Sequence, residues 1–309
     1  MSALLFPGQG SQSVGMGSEF YKNFEQVKKI FNEADEKLGF KISKIILEGP
    51  SEKLQLTENT QPAILTVSYS IFRVLVDQFN FDLKLVNFFA GHSLGEYSAL
   101  VCSEALKFSD AIYLLHERGK AMQNAVPVGE GSMIAVLGLK VEEIQKLIEE
   151  FKKEDDKGVC EIANDNANGQ IIISGRKKSI DNFQLLLKKN KIKSIPLNVS
   201  APFHCSLMKS AAKEMREKII STSFKKPKFK IINNVTAKEE LNEERIKNLL
   251  VDQIFSTVRW RESILNMESS GEKNFIEIGP GKALIGMIKR TLKDVNCFSI
   301  NSIADIKSI

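Results

Sequence analysis

The five residues Gly91-His92-Ser93-Leu94-Gly95 constrain this chain more than any other segment. They follow a mostly apolar run at residues 85–90, which reads as a strand, and they precede a stretch of helical character at 96–106. A Gly-x-Ser-x-Gly pentapeptide between strand and helix puts the serine on a sharp, strained turn, its hydroxyl exposed and the next N–H free to donate. Both glycines lack a Cβ, so the chain can close tightly there. The competing reading is a plain glycine-rich βα turn, since the pentapeptide alone is a weak signal. The flanking strand and helix favour a nucleophile.

Elsewhere short apolar strands alternate with longer segments of helical period, the pattern of a parallel sheet covered by helices. The expected class is therefore α/β. Residues 60–79 place Ile64, Val67, Ile71, Val74 and Leu75 on one helix face, which predicts a largely buried helix. The middle of the chain changes register. Strands are expected at 133–139, 159–163, 170–174 and 192–199, with helices at 141–153 and 179–190. That order is βαββαβ, the ferredoxin-like arrangement. Residues 128–199 are thus read as a small subdomain inserted into a large catalytic domain formed by residues 1–127 and 200–309.

Composition narrows the function classes. The chain has 309 residues, with 43 Lys+Arg against 38 Asp+Glu, so nothing in its charge asks for nucleic acid. No apolar run approaches the ~20 residues that cross a bilayer, so no membrane partner is expected. The N-terminal residues lack a basic lead and a long apolar core, which gives no sign of a targeting peptide. Cys102, Cys160, Cys205 and Cys297 are widely spaced, with no metal-ligand pattern. The expected compartment is a reducing cytoplasm, or an organelle stroma if a transit peptide has been removed.

A serine hydroxyl needs a base, and the chain has three histidines, His92, His116 and His204. His92 directly precedes the serine and should point away from it, while His116 sits within an expected helix among charged neighbours. His204, in Pro202-Phe203-His204, lies where the small subdomain returns to the large one, and junction loops commonly line clefts. It is the expected base. No acid stands out as a third member, so a backbone carbonyl holding the imidazole is the alternative.

Pro7-Gly8-Gln9-Gly10-Ser11-Gln12 matches neither a dinucleotide fingerprint nor a P-loop. Either it is an ordinary turn, or it brings the Gln9 N–H beside Ser93 as an oxyanion donor, with the Leu94 N–H as the other. Arg118 is four residues from Leu114 and from Met122, and so shares their apolar face. A guanidinium there needs an anion, either a structural carboxylate or a substrate carboxylate. The runs Lys188-Lys189-Asn190-Lys191 and Lys225-Lys226-Pro227-Lys228 read as solvated surface, or as a landing place for an acidic protein or for phosphates.

Several blocks occur together and in order: Phe6-Pro7-Gly8-Gln9-Gly10-Ser11-Gln12, Gly91-His92-Ser93-Leu94-Gly95-Glu96-Tyr97-Ser98-Ala99, Arg118-Gly119-Lys120-Ala121-Met122-Gln123, Pro202-Phe203-His204 and Glu277-Ile278-Gly279-Pro280-Gly281. In these the chain resembles the malonyl-CoA:acyl-carrier-protein transacylases of dissociated, type II fatty-acid synthesis. The resemblance implies an α/β-hydrolase-like parallel-sheet domain carrying the ferredoxin-like insert. It implies an acyltransferase that moves malonyl from malonyl-CoA to the phosphopantetheine thiol of acyl carrier protein by a ping-pong route. Ser93 would be the nucleophile, His204 the base, Arg118 the partner of the malonyl carboxylate, and Gln9 and Leu94 the oxyanion donors. Gln253 would orient the histidine through its main-chain carbonyl. No cofactor is implied, coenzyme A thioester being a substrate, and a monomer meeting an acidic carrier protein transiently is expected. The chain departs from the family pattern at Ser256-Thr257-Val258-Arg259-Trp260 and at Asn164-Asp165-Asn166-Ala167-Asn168-Gly169-Gln170. The runner-up readings are an esterase or thioesterase with the same elbow, and a module that binds carrier protein without turnover. Against the hydrolase stands the absence of an HGGG-type oxyanion loop.

Overall fold

The computed structural model describes residues 1–154, 158–199 and 201–307. Two sheets are built from β1 (Ser2–Phe6), β2 (Val86–Gly91), β3 (Gly131–Leu137), β4 (Cys160–Ala167), β5 (Gln170–Arg176), β6 (Lys193–Pro196), β7 (Lys230–Ile232), β8 (Glu239–Glu240), β9 (Asn274–Ile278) and β10 (Asn296–Ile300). The larger runs in the order β10-β9-β1-β2-β7-β8 and is parallel except at the β7–β8 edge. Alternation along β1 sends Leu4 and Phe6 into one apolar cluster and Ala3 and Leu5 into another. A strand buried on both faces belongs at the centre of a helix-covered sheet.

Phe6 pairs with Gly91, so the carboxyl ends of the two central strands lie side by side. The next strand in the chain after β1 joins it on one side, while β9 joins it on the other. Ligands of open parallel sheets bind at such a switch of direction, outside the carboxyl ends of the strands. The Pro7–Gln12 turn and the Ser93 elbow both sit there. The elbow leads into helix Gly95–Cys102, every residue of which is buried.

The small sheet has the order β4-β5-β3-β6 and is antiparallel throughout, as the βαββαβ pattern requires. Its helices, Val141–Glu154 and Lys177–Lys189, cover one face through Ile171 and Ile173, whereas Ile172, Met133 and Ala135 face the main core. The expected strand at 159–163 in fact runs on to Ala167. Polar side chains at 164–166 suggest a loop, yet Asn164 forms a bridge with Val258, and the Asp165 N–H donates to the Val258 carbonyl at 3.0 Å. The two stretches that depart from the family pattern therefore hydrogen-bond to each other, and the Arg261–Asp165 ion pair adds to this seam. The domain boundary expected between residues 199 and 200 touches Ser200, which lies outside the described residues.

Both elbow glycines are required by close approach. A Cβ on Gly91 would lie 1.9 Å from the Gly95 carbonyl, and one on Gly95 would lie 2.2 Å from the Phe6 carbonyl oxygen. Backbone, unlike a side chain, cannot rotate out of the way. Gly95→Ala is therefore expected to lower unfolding stability by about 2 kcal/mol or more, read from urea or thermal denaturation. A variant as stable as the parent would contradict this packing.

Candidate active site

Ser93 has φ +54°, a left-handed conformation that serine rarely adopts. It is held there from both sides: its N–H donates to Asn234 Oδ1 at 2.7 Å, and its carbonyl accepts from Gln253 Nε2 at 3.1 Å. The hydroxyl faces His204, with Oγ 2.8 Å from Nε2. On the other side of the imidazole, Nδ1 is 2.8 Å from the Gln253 main-chain carbonyl. A carbonyl oxygen can only accept, so Nδ1 carries the hydrogen and Nε2 presents its lone pair to the serine. Burial, followed by the nearby Arg118 cation, depresses the His204 pKa to about 3. The ring is neutral at physiological pH and able to take a proton.

Arg118 lies in helix Phe108–Asn124, and Leu114 and Met122 are buried beside it as their spacing predicts. It is 1% exposed. Its Nη1 donates to Gln61 Oε1 at 2.8 Å, and its Nη2 to Gln253 Oε1 at 2.9 Å and to Ser93 Oγ at 3.1 Å. All of these acceptors are neutral. Among the described residues no carboxylate lies within ion-pair distance of Arg118, and the buried Glu96 carboxylate acts on it electrostatically from behind Gln253. Gln61 reaches it because Gly119 lets helix Thr57–Asp77 come close, a Cβ at Gly119 lying only 2.6 Å from the Thr57 carbonyl. The guanidinium lies over the Tyr97 ring, 5.8 Å from its centroid.

The Pro7–Gln12 turn packs directly on the elbow. A Cβ on Gly8 would come within 2.7 Å of the His92 carbonyl oxygen. Among the described residues neither the Gln9 nor the Leu94 N–H donates to another main-chain or side-chain group. Gln9, Ser93, Leu94, Arg118 and His204 line one cavity of about 620 Å³, roofed by Ile172 and Leu197 from the small subdomain side. Leu284 and Met287, on helix Ala283–Thr291, complete a wall.

The remaining candidates fall elsewhere. His92 is 2.8 Å from Asn166 Oδ1 through Nε2 and sits edge-on to Trp260, a structural arrangement. His116 contacts the Glu58 carbonyl through Nδ1 at 2.9 Å. The Cys205 thiol donates to the Pro202 carbonyl, and burial pushes its pKa up to about 11, so it stays protonated. Lys188, Lys189, Lys191, Lys225, Lys226 and Lys228 are exposed, and Lys228 pairs with Glu104.

Sequence reading missed Gln61, Glu96, Asn233 and Asn234. Glu96 is wholly buried and accepts from Asn233 Nδ2 at 2.6 Å, Asn234 N–H at 3.0 Å and Gln253 Nε2 at 2.8 Å. Burial raises its pKa to about 7, against those hydrogen bonds and the Arg118 cation. Asn234 also donates to the Gly91 carbonyl at 2.8 Å. The available signal was positional: Asn233 and Asn234 directly follow β7, which neighbours β2 in the sheet.

Fold and site together define a protein of the α/β nucleophile-elbow class with a serine–histidine pair. A family model described as acyl transferase domain matches residues 3–308, and the chain belongs to that family. The malonyl CoA-acyl carrier protein transacylase of Bacillus subtilis is 42% identical over 300 residues, spanning 97% of this chain and 93% of that one. Its namesake from Escherichia coli K12 is 39% identical over 300 residues, spanning 97% and 95%. The crystal structure of acyl-carrier-protein-S-malonyltransferase from Bartonella henselae superposes with a TM-score of 0.95 at 41% identity, covering 99% and 97% of the two chains. A malonyl-transacylase solved in complex with its type II PKS acyl-carrier protein gives 0.94 at 38% identity, covering 99% and 98%.

Because burial and the Arg118 cation both disfavour imidazolium, His204 should show no titration near the ordinary value of ~6.5. The nitrogen chemical shifts of its ring are expected to stay those of the Nδ1–H neutral tautomer from pH 8 down to pH 5. An inflection close to 6.5 would contradict the buried geometry.

Proposed function

We propose that this chain transfers a malonyl group from malonyl-CoA to the phosphopantetheine thiol of acyl carrier protein, through a malonyl ester on Ser93. The observation that carries this reading is the buried Arg118 cation, which among the described residues has no carboxylate in direct contact and lies 3.1 Å from the Ser93 oxygen. A full charge held only by neutral acceptors is poised for an anion, and a malonyl thioester supplies one two carbons from the carbonyl that Ser93 would attack. The carboxylate would take the guanidinium in a two-point fork. An acetyl group has nothing to place there. The names and near-complete coverage of the relatives support the same substrate and the same carrier protein.

The chemistry follows from the side chains. Ser93 Oγ attacks the thioester carbonyl carbon while its proton passes to His204 Nε2. The carbonyl oxygen becomes an oxyanion, stabilised by the N–H groups of Gln9 and Leu94; such a donor is worth roughly 10² to 10³ in rate. The Gln253 carbonyl keeps Nδ1–H in place and stabilises the imidazolium through that bond. Collapse breaks the carbon–sulfur bond, and the thiolate of coenzyme A leaves with the proton from Nε2. In the second half the carrier thiol gives its proton to Nε2 and attacks the malonyl ester, releasing Ser93. No cofactor takes part. We read the protein as a monomer in a reducing compartment, where cysteines stay unoxidised. That compartment is a cytoplasm or an organelle stroma. The docking of the acidic carrier is transient.

Brief incubation with malonyl-CoA should add one malonyl mass to the peptide bearing Ser93, and carrier protein should remove it. Turnover that survives Ser93→Ala, with no malonyl peptide in the parent, would end this reading, and release of the acyl group to water in preference to the thiol would favour a hydrolase. Arg118→Ala should lower malonyl loading relative to acetyl loading by about 100-fold, since a desolvated charge partner is lost. Equal losses for both acyl groups would make Arg118 structural.

A further inference from the structure

Arg118 can serve a substrate carboxylate only if its own neutral partners present oxygen atoms to it. One of them is an amide whose two ends have nearly the same shape. Gln253 places Oε1 2.9 Å from Arg118 and Nε2 2.8 Å from Glu96. Reversing that amide would set an N–H₂ group against the guanidinium, donor facing donor.

We propose that Glu96 is a positioning residue for acyl-group selection: its carboxylate dictates which end of the Gln253 amide faces Arg118. This rests on the malonyl reading of the site. An ionised carboxylate only accepts hydrogen bonds, so whatever Gln253 turns towards it must be the N–H₂ end. The oxygen end is thereby committed to Arg118. Glu96 is itself locked, with Asn233 Nδ2 and the Asn234 N–H filling its other acceptor positions. It touches neither Ser93 Oγ nor any atom of the acyl group's path, and lies on helix Gly95–Cys102, directly behind the elbow. Its influence passes from there, through the last residue of helix Glu243–Gln253, to a cation on a third helix, Phe108–Asn124. The Gln253 main chain also holds His204, so the residue that receives the order from Glu96 borders both halves of the site.

The test is Glu96→Gln, whose new amide can donate to Gln253 and removes the charged acceptor of its N–H₂ end, leaving the neutral Ser93 carbonyl and Asn234 Oδ1 to hold that end. Three quantities are measured on the whole protein: malonyl loading of Ser93 from malonyl-CoA, acetyl loading from acetyl-CoA, and labelling of Ser93 by a fluorophosphonate. The ratio of kcat/KM for malonyl to that for acetyl should fall about tenfold, the scale of losing an aligned bond to a charged group. Fluorophosphonate labelling, which needs only Ser93 and His204, should persist. Equal loss of malonyl and acetyl loading, or no change in the ratio, overturns the role of Glu96 while leaving the transferase reading intact. Failure of the unaltered protein to load malonyl would instead remove the reading itself.

Should Glu96→Gln not fold, the unaltered protein carries the same test. The charged and titratable groups facing Glu96 are Arg118 and Tyr97, with His204 and His92 beyond Ser93. Burial lifts Tyr97 to about 12 and drives His204 to about 3, while His92 is pushed down and Arg118 keeps its charge. Glu96, raised to about 7, is the member of this group that protonates between pH 8 and pH 5.5. Protonation places an O–H donor on a carboxyl that had only accepted and weakens its hold on the Gln253 N–H₂ end, so the malonyl-to-acetyl ratio should decline as pH falls through that range. A flat ratio overturns the proposal.

Discussion

The structure turns on a buried cation whose direct hydrogen-bond acceptors, among the described residues, are all neutral. Arg118 is buried, held by amide and hydroxyl oxygens alone, and sits next to the serine on the elbow. Leaving a guanidinium so poorly compensated costs stability unless something else neutralises it. On the proposed reading the malonyl carboxylate would. Burial first, and then the same charge, depress the basicity of His204, which keeps the imidazole neutral in the free protein.

The rest of the fold exists, from the site's point of view, to hold that charge still. Two parallel strands end together, and their turns interlock through glycines whose missing Cβ atoms would strike backbone. Asn234 and Gln253 grip the Ser93 peptide from opposite sides, which offsets its unfavourable left-handed geometry. Glu96 anchors both residues, accepting from the Asn234 main-chain N–H and from Gln253 Nε2. Without a carboxylate triad member, the Gln253 carbonyl supplies the orientation of the imidazole. The small antiparallel sheet lends its second face to the cavity, so the roof and the floor come from different layers.

How much of this was legible depended on how local each signal was. The elbow could be read because strand, glycines and helix follow one another within a short stretch, and Arg118 because its four-residue spacing to Leu114 and Met122 reports burial directly. His204 emerged by elimination among three histidines. Gln253 was different: a main-chain carbonyl has no residue type, and only resemblance pointed to it. Glu96 was in plain view within the quoted motif, yet its partners are more than 130 positions away and meet it only in the folded sheet. Residues 164–166 misled in the opposite direction, since their polar composition suggests a loop and antiparallel pairing with β5, at Asn164 with Ile172 and Asp165 with Ile171, makes them strand.

A crystal structure of the malonyl ester trapped on Ser93, as in a short soak with malonyl-CoA and no acceptor, tests the central claim most directly. Both oxygens of the free carboxylate should lie within hydrogen-bonding distance of the Arg118 guanidinium, with the ester oxygen turned to the Gln9 and Leu94 N–H groups. A carboxylate pointing into solvent, with Arg118 still bonded to the Ser93 oxygen, would contradict the account.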